Sequence, residues 1–221
     1  MYSFAQRSDT KVFDEILYPN FLVATGSKRP DREATLDLMD SDGLRVIQET
    51  ILGVSNHKVL FFKNIANHLV GLDHDFLDQV KNVFLIRDPR EMILSYAEVI
   101  EQPTMLDLAV EQQYKCFKKL QESGKPALLI DSKELLLNPA KVLSELCDGL
   151  GIPWDPNMLA WEAGPRAEDG PWAKYWYEGV HKSTGFKKYN PKQGELSANL
   201  EALYHRCLPL YEYLRAFSLL A

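Results

Sequence analysis

The chain has 221 residues, enough for one α/β domain with a sizeable core and too few for a second of similar size. Hydrophobic residues make up 46% and charged residues 25%, the mix of an ordinary globular protein. Acidic residues outnumber basic ones 31 to 25, a net charge of −6, which argues against a phosphate-backbone partner such as nucleic acid but leaves room for one local basic pocket.

Met1 to Asp14 is polar and charged, unlike a secretory signal. Lys11–Phe13, running into Asp14, is the first short apolar run that reads as a buried parallel strand. Val59–Phe62 follows and ends at Lys63, then Val83–Ile86, ending at Arg87. Leu106 to Leu120 has helical spacing and stops at Glu122-Ser123-Gly124, a C-cap sequence. Ala127–Ile130 is the fourth strand, ending at Asp131. Pro139 to Leu150 reads as a helix with Val142, Leu143, Leu146 and Leu150 on one face and Gly151 beyond its end. From Trp154 to Tyr189 aromatic residues crowd around Gly164-Pro165 and Gly170-Pro171, the composition of either a packed flap or a ligand-covering segment. A last helix is expected over Leu196 to Leu214, kinked or split by Pro209.

Strands alternating with helices predict a doubly wound, three-layer α/β/α fold with a parallel sheet, whose polar strand ends carry the site. The three cysteines, Cys116, Cys147 and Cys207, are dispersed, which fits neither a disulfide framework nor a metal-ligand cluster. No apolar stretch approaches the roughly 18 residues of a membrane span. The expectation is therefore a soluble, cytoplasmic, single-domain protein over residues 1–221, without metal, membrane or nucleic acid.

The most informative stretch is Val83-Phe-Leu-Ile-Arg87-Asp-Pro89-Arg-Glu-Met-Ile-Leu-Ser95-Tyr96. A buried strand delivers Arg87 to its C-terminal end, Pro89 opens a helix, and Ser95 lies on that helix. A guanidinium can clamp a phosphate through paired hydrogen bonds, and a serine hydroxyl and helix N-terminus add to the grip. Arg87 could equally pair with Asp88 or cap a helix.

The segment "FLIRDPREMILSY" resembles the 3′-phosphate-binding segment of sulfotransferases that use 3′-phosphoadenosine 5′-phosphosulfate (PAPS). "MYSFAQRSDTKVFDE", "FFKNIANHL" and "MLAWEAGP…EDGPWAKYWYEGVHKSTGF" resemble the same group in the same order, so the similarity covers Met1 to about Tyr213. Some plant members carry this domain ahead of a branched-chain aminotransferase-like domain. The resemblance implies a P-loop-type sulfotransferase-like fold and transfer of a sulfuryl group to a hydroxyl or amine of a small-molecule acceptor. It implies 3′-phosphate binding by Arg87 and Ser95, and catalysis by Lys63, stabilising charge on the leaving oxygen, and His68, as base. The Lys63–His68 spacing departs from the family's short Lys-x-His, and His57, His74 and His181 remain alternative bases. "His181-Lys-Ser-Thr-Gly185-Phe" resembles the C-terminal cofactor segment: Ser183, Thr184 and Gly185 would form an anion nest, with Lys182 or Lys187 adding charge. Arg7 and Asp14-Glu15 fall in a structural and acceptor-facing region.

Relatives hold the 5′-phosphosulfate on a loop of the type Pro-Arg-Ser-x-Ser-Thr that precedes "MYSFAQR". That loop and its strand do not occur in these 221 residues. A truncated enzyme is the first expectation. A non-catalytic nucleotide-binding or interaction module beside an aminotransferase-like partner is the alternative.

Overall fold

The computed structural model describes every residue except Pro30 and Pro126. Its contacts divide the chain into two compact units: Met1–Val80 with Asp155–Lys187, and Lys81–Trp154 with Lys188–Ala221.

In the first unit, strands β1 (Thr10–Asp14) and β2 (Val59–Lys63) pair in parallel, with Phe13 beside Phe62 and Asp14 beside Lys63. Both strands run one residue past their apolar stretch, so the polar ends belong to the sheet and face one another at its C-terminal edge. The rings of Phe13 and Phe62 stack at 4.8 Å, and Phe4 stacks on Phe61 at 4.2 Å. The helix Tyr18–Thr25 follows β1 and packs Tyr18, Phe21 and Leu22 around the buried Trp172. Trp172 lies in the aromatic segment, which contains the short helices Ala173–Trp176 and Glu178–His181. A tryptophan 2% exposed marks that segment as a packed flap.

In the second unit, β3 (Asn82–Ile86), β4 (Ala127–Asp131) and β5 (Ser218–Leu219) form a parallel sheet in the order β3-β4-β5. Side chains alternate across β4. Leu129 packs with Phe117 of the helix Val110–Glu122 and with Tyr211 and Leu214 of the helix Ala198–Arg215. Leu128 points the other way, onto Gly149 of the helix Pro139–Leu150. Helices thus cover both faces of this sheet, giving the unit the three layers that the strand–helix alternation predicts.

The helix Pro139–Leu150 has Pro139 in its first turn, and Gly151 ends it with φ 74°, a left-handed conformation that glycine adopts without steric cost. One expectation is corrected: the helix over Leu106 to Leu120 is broken, because Ala109 takes φ 55° between Met105–Leu108 and Val110–Glu122. Of the two outcomes expected at Pro209, a kink or a split, the split does not occur, since Pro209 lies inside Ala198–Arg215 without ending it. β5, Ser218–Leu219, is only two residues long, too short for a sequence reading to single it out as a strand.

Candidate functional site

The parallel register brings Asp14 and Lys63 together, and Glu15 and Tyr177 complete the cluster in the first unit. Lys63 Nζ lies 3.3 Å from Asp14 Oδ1, donates to Glu15 Oε1, and lies 2.6 Å from the Tyr177 hydroxyl. The Tyr177 hydroxyl donates to the Asp14 carboxylate at 2.8 Å and accepts from Trp172 Nε1 at 3.3 Å. The Gly170 amide donates to Asp14 Oδ2 at 3.2 Å. Glu15 is held in a left-handed backbone conformation, φ 47°, with its amide donating to the Lys63 carbonyl at 2.6 Å. A non-glycine residue pays for that conformation, so the surrounding bonds must hold it there.

One ammonium serves two carboxylates, and the electrostatics reflect it. Burial alone would lower the Lys63 pKa, but Glu15 and Asp14 outweigh it and hold the amine above its usual value. Burial raises Glu15, and its share of Lys63 does not fully offset that loss of solvation. The lysine is the more firmly charged of the two, because two acceptors face it while Glu15 faces a shared donor.

His68, expected as the base, is only 2% exposed, with its ring 5.0 Å from that of Tyr18 and 5.5 Å from that of Phe21. Its Nε2 is 3.9 Å from Glu15 Oε2, too long for a hydrogen bond, and its Nδ1 has no partner. Burial, with Lys63 and Arg29 adding to it, pushes His68 down to about 3 and keeps the ring neutral. A buried imidazole of that basicity is poorly suited to accept a proton from an entering molecule. Of the alternatives, His57 is exposed, and His74 contacts the Leu69 carbonyl at 3.4 Å. His181 Nε2 lies 3.0 Å from Asp169 Oδ2, which also accepts from the Tyr2 hydroxyl at 2.7 Å.

Within the expected nest at Ser183, Thr184 and Gly185, Ser183 is turned to packing. The Ser183 amide donates to the Val180 carbonyl at 2.9 Å, and its hydroxyl donates to the same oxygen at 2.7 Å. That hydroxyl also accepts from Trp161 Nε1 at 3.0 Å. The Thr184 carbonyl accepts from the Trp161 amide, and Gly185 bridges to Ala160. These bonds close the flap and leave Ser183 no donor for a ligand. Lys182 pairs with Glu178 in solvent. Arg7 is a structural residue, buried and gripping Asp9 through Nε and Nη2 at 3.0 and 2.9 Å.

In the second unit, Arg87 follows β3 directly and precedes the helix Pro89–Tyr96, with Asp88 as its N-cap. Asp88 accepts from the Arg90 amide at 2.7 Å, so it caps the helix and Arg87 pairs elsewhere. Arg87 Nε and Nη2 both donate to Glu91 Oε2, at 3.0 and 2.9 Å, with the guanidinium side chain 38% exposed. Ser95 lies four residues after Glu91, on the same face of the helix. Glu91 Oε1 accepts from the Tyr189 hydroxyl at 2.6 Å, whose pKa burial and that bond push up to about 12. Arg87 opens onto a cavity of about 550 Å³ lined also by Asn190, Pro191, Lys192 and Gln193.

The family profile described as Sulfotransferase domain matches residues 1–218. The chain belongs to this sulfotransferase family. It is 42% identical over 220 residues to branched-chain-amino-acid aminotransferase-like protein 1 of Arabidopsis thaliana, covering 98% of this chain and 39% of that protein. It is 40% identical over 216 residues to branched-chain-amino-acid aminotransferase-like protein 2 of the same plant, covering 97% and 38%. The chain thus spans about two fifths of the length of these relatives. Among solved structures it is similar to the sulfotransferase domain from the curacin biosynthetic pathway, at 15% identity and a TM-score of 0.46, covering 86% of this chain and 77% of that one. It is also similar to the sulfotransferase domain from the Synechococcus PCC 7002 olefin synthase, at 13% identity and a TM-score of 0.44, covering 86% and 74%. Among the described residues, no helix is long and apolar enough to cross a membrane, and no group of three His, Cys, Asp or Glu is placed to hold a metal ion.

Proposed function

We propose that this sulfotransferase-family chain uses PAPS to sulfate a hydroxyl or amine of a small acceptor. The observation that carries the reading is Arg87, half exposed at the C-terminal end of β3, facing a polar cavity with one edge of its guanidinium fixed by Glu91. A guanidinium fixed in this way, with Ser95 on the same helix face as Glu91, suits a phosphate dianion. PAPS, when bound, supplies the sulfuryl group and a 3′-phosphate for Arg87 and Ser95 to grip.

In the first unit, Lys63 offers an ammonium at the end of β2 for charge developing on a departing oxygen. The proton acceptor in this reading is Glu15 rather than His68. Its carboxylate is raised by burial and sits beside Lys63, whereas His68 is enclosed by aromatic rings and held near 3. The acceptor's proton would pass to Glu15 as its oxygen or nitrogen forms the bond to sulfur. The names of the Arabidopsis relatives support an aminotransferase-like partner for the domain.

The test is transfer of labelled sulfate from PAPS to 4-nitrophenol and tyramine. Transfer that falls by about a hundredfold in Glu15→Gln, with His68→Gln near wild type, supports the assignment. A chain that binds adenosine 3′,5′-bisphosphate yet transfers to neither acceptor contradicts the enzymatic reading and favours a nucleotide-binding module.

A further inference from the structure

We infer that Tyr177 plugs the Lys63 site from within. Its hydroxyl takes up the last donor of the ammonium and stands where an acceptor's hydroxyl binds, so Tyr177 gives way before transfer. The inference rests on the reading of Lys63 as the catalytic cation and adds a gate to that site.

An ammonium has three N–H donors. Those of Lys63 face Asp14 Oδ1 at 3.3 Å, Glu15 Oε1, and the Tyr177 hydroxyl at 2.6 Å. With Tyr177 seated, no donor remains for charge developing on a departing oxygen. Asp14 and Glu15 are fixed, with side chains 0% and 7% exposed. Asp14 ends β1, and the Glu15 amide is tied to the Lys63 carbonyl at 2.6 Å. Tyr177 is the partner able to leave. It is half-buried and lies between two four-residue helices, Ala173–Trp176 and Glu178–His181, where a side-chain rotation disturbs no long element. Trp172, 2% exposed against Tyr18 and Phe21, keeps the flap anchored meanwhile.

The bonds of the hydroxyl define what replaces it. It donates its one proton to Asp14, at 2.8 Å from Oδ1 and 2.9 Å from Oδ2. It accepts from Lys63 and from Trp172 Nε1, the latter at 3.3 Å. One proton and two lone pairs are thereby all in use. A group entering this place must give one proton and receive two, as a hydroxyl does. A protonated amine has no lone pair for Lys63 and Trp172 and sets a second positive charge against the ammonium. A carboxylate has no proton for Asp14 and is repelled by it. Burial, with Glu15 and Asp14 adding to it, pushes the Tyr177 pKa well above that of a free phenol, so the plug stays protonated and is no base. The place it vacates has the shape of a phenol ring, with the His181 ring edge-on at 6.1 Å and the Lys63 ammonium 5.0 Å from the ring centre.

The experiment is fluorine NMR of the full chain labelled with 3-fluorotyrosine, in the presence of adenosine 3′,5′-bisphosphate. The chain is titrated with p-cresol, which is the tyrosine side chain as a free molecule, and with benzylamine. The Tyr177 resonance is the one missing from Tyr177→Phe. The inference predicts that p-cresol moves this resonance to the position of a solvent-exposed fluorotyrosine and that benzylamine does not. Tyr177→Phe keeps the ring and drops the competing hydroxyl, so it should bind p-cresol about tenfold more tightly than wild type in calorimetry. A hydroxyl that only supports the fold would instead give lower stability and unchanged p-cresol binding. Binding of p-cresol with the Tyr177 resonance unmoved overturns the inference, as does equal displacement by benzylamine or no p-cresol binding at all. Transfer of labelled sulfate from PAPS to p-cresol is followed alongside. Transfer with Tyr177 still seated overturns the plug while the sulfotransferase reading stands. Displacement of Tyr177 without transfer supports the plug and counts against that reading.

Discussion

Lys63 ends a parallel strand and Arg87 directly follows one, and their side chains are similarly exposed, 31% and 38%. Their surroundings differ in how much of the cation is already used. Lys63 answers two carboxylates that are 0% and 7% exposed, and a tyrosine hydroxyl besides. Arg87 answers one carboxylate oxygen on one edge and faces a polar cavity with the rest. The first arrangement surrounds the ammonium with acceptors, so an entering group shares its donors with two carboxylates. The second leaves one edge of the guanidinium uncommitted. Position at a strand end is thus common to both, and the count of buried acceptors decides what each can do.

The largest expected effect is the acid sensitivity that the buried His68, near the Lys63 cluster but outside it, gives the first unit. His68 is held near 3 in the folded chain and titrates near 6.5 when unfolded, so the unfolded chain binds the extra proton between those values. Its contribution to stability is full above pH 6.5 and is lost as pH falls toward 3, on the order of 5 kcal/mol in all. Glu15 acts in the opposite sense, because its raised pKa makes the folded chain the better proton binder as pH rises above 4.5. Comparing chemical denaturation of wild type and His68→Gln from pH 3 to 8 isolates the histidine. The variant should lose the steep acid limb, and parallel curves would contradict the account.

Next in size, Lys63→Ala strands two buried carboxylates and should cost about 3 kcal/mol at pH 7, read from the shift in denaturation midpoint. A loss below about 1 kcal/mol would make Lys63 an ordinary surface pair and erase the distinction from Arg87. A smaller change, about 1.5 kcal/mol, is expected for Ser183→Ala, which leaves Trp161 Nε1 without its acceptor. That variant should lower the melting temperature yet bind adenosine 3′,5′-bisphosphate as wild type does. Weakened binding without lost stability would return residues 183–185 to the cofactor.

Much of the fold was legible because each buried strand is a short apolar run ended by a polar residue. The helix Pro139–Leu150 carries its own start and stop in Pro139 and Gly151. The break at Ala109 was not legible, since no glycine or proline marks it and tertiary packing imposes the left-handed turn. In the site, Arg87 and Lys63 could be singled out as polar strand ends, while the roles of Ser95 and Lys63 came from the family resemblance. Their partners could not. Glu15 meets Lys63 across 48 positions and Tyr189 meets Glu91 across 98, contacts that register and loop seating create and no local pattern announces. His68 misled for a related reason: a histidine five residues past a strand looks available until the rings of Tyr18 and Phe21 are seen to enclose it.

The most direct test of the central claim is calorimetric binding of adenosine 3′,5′-bisphosphate against 5′-AMP, in wild type and Arg87→Ala. The account predicts that wild type prefers the bisphosphate by at least about tenfold, and that Arg87→Ala, still folded, loses the preference. Equal affinity for the two nucleotides in the wild type, or a preference untouched by the substitution, would contradict it.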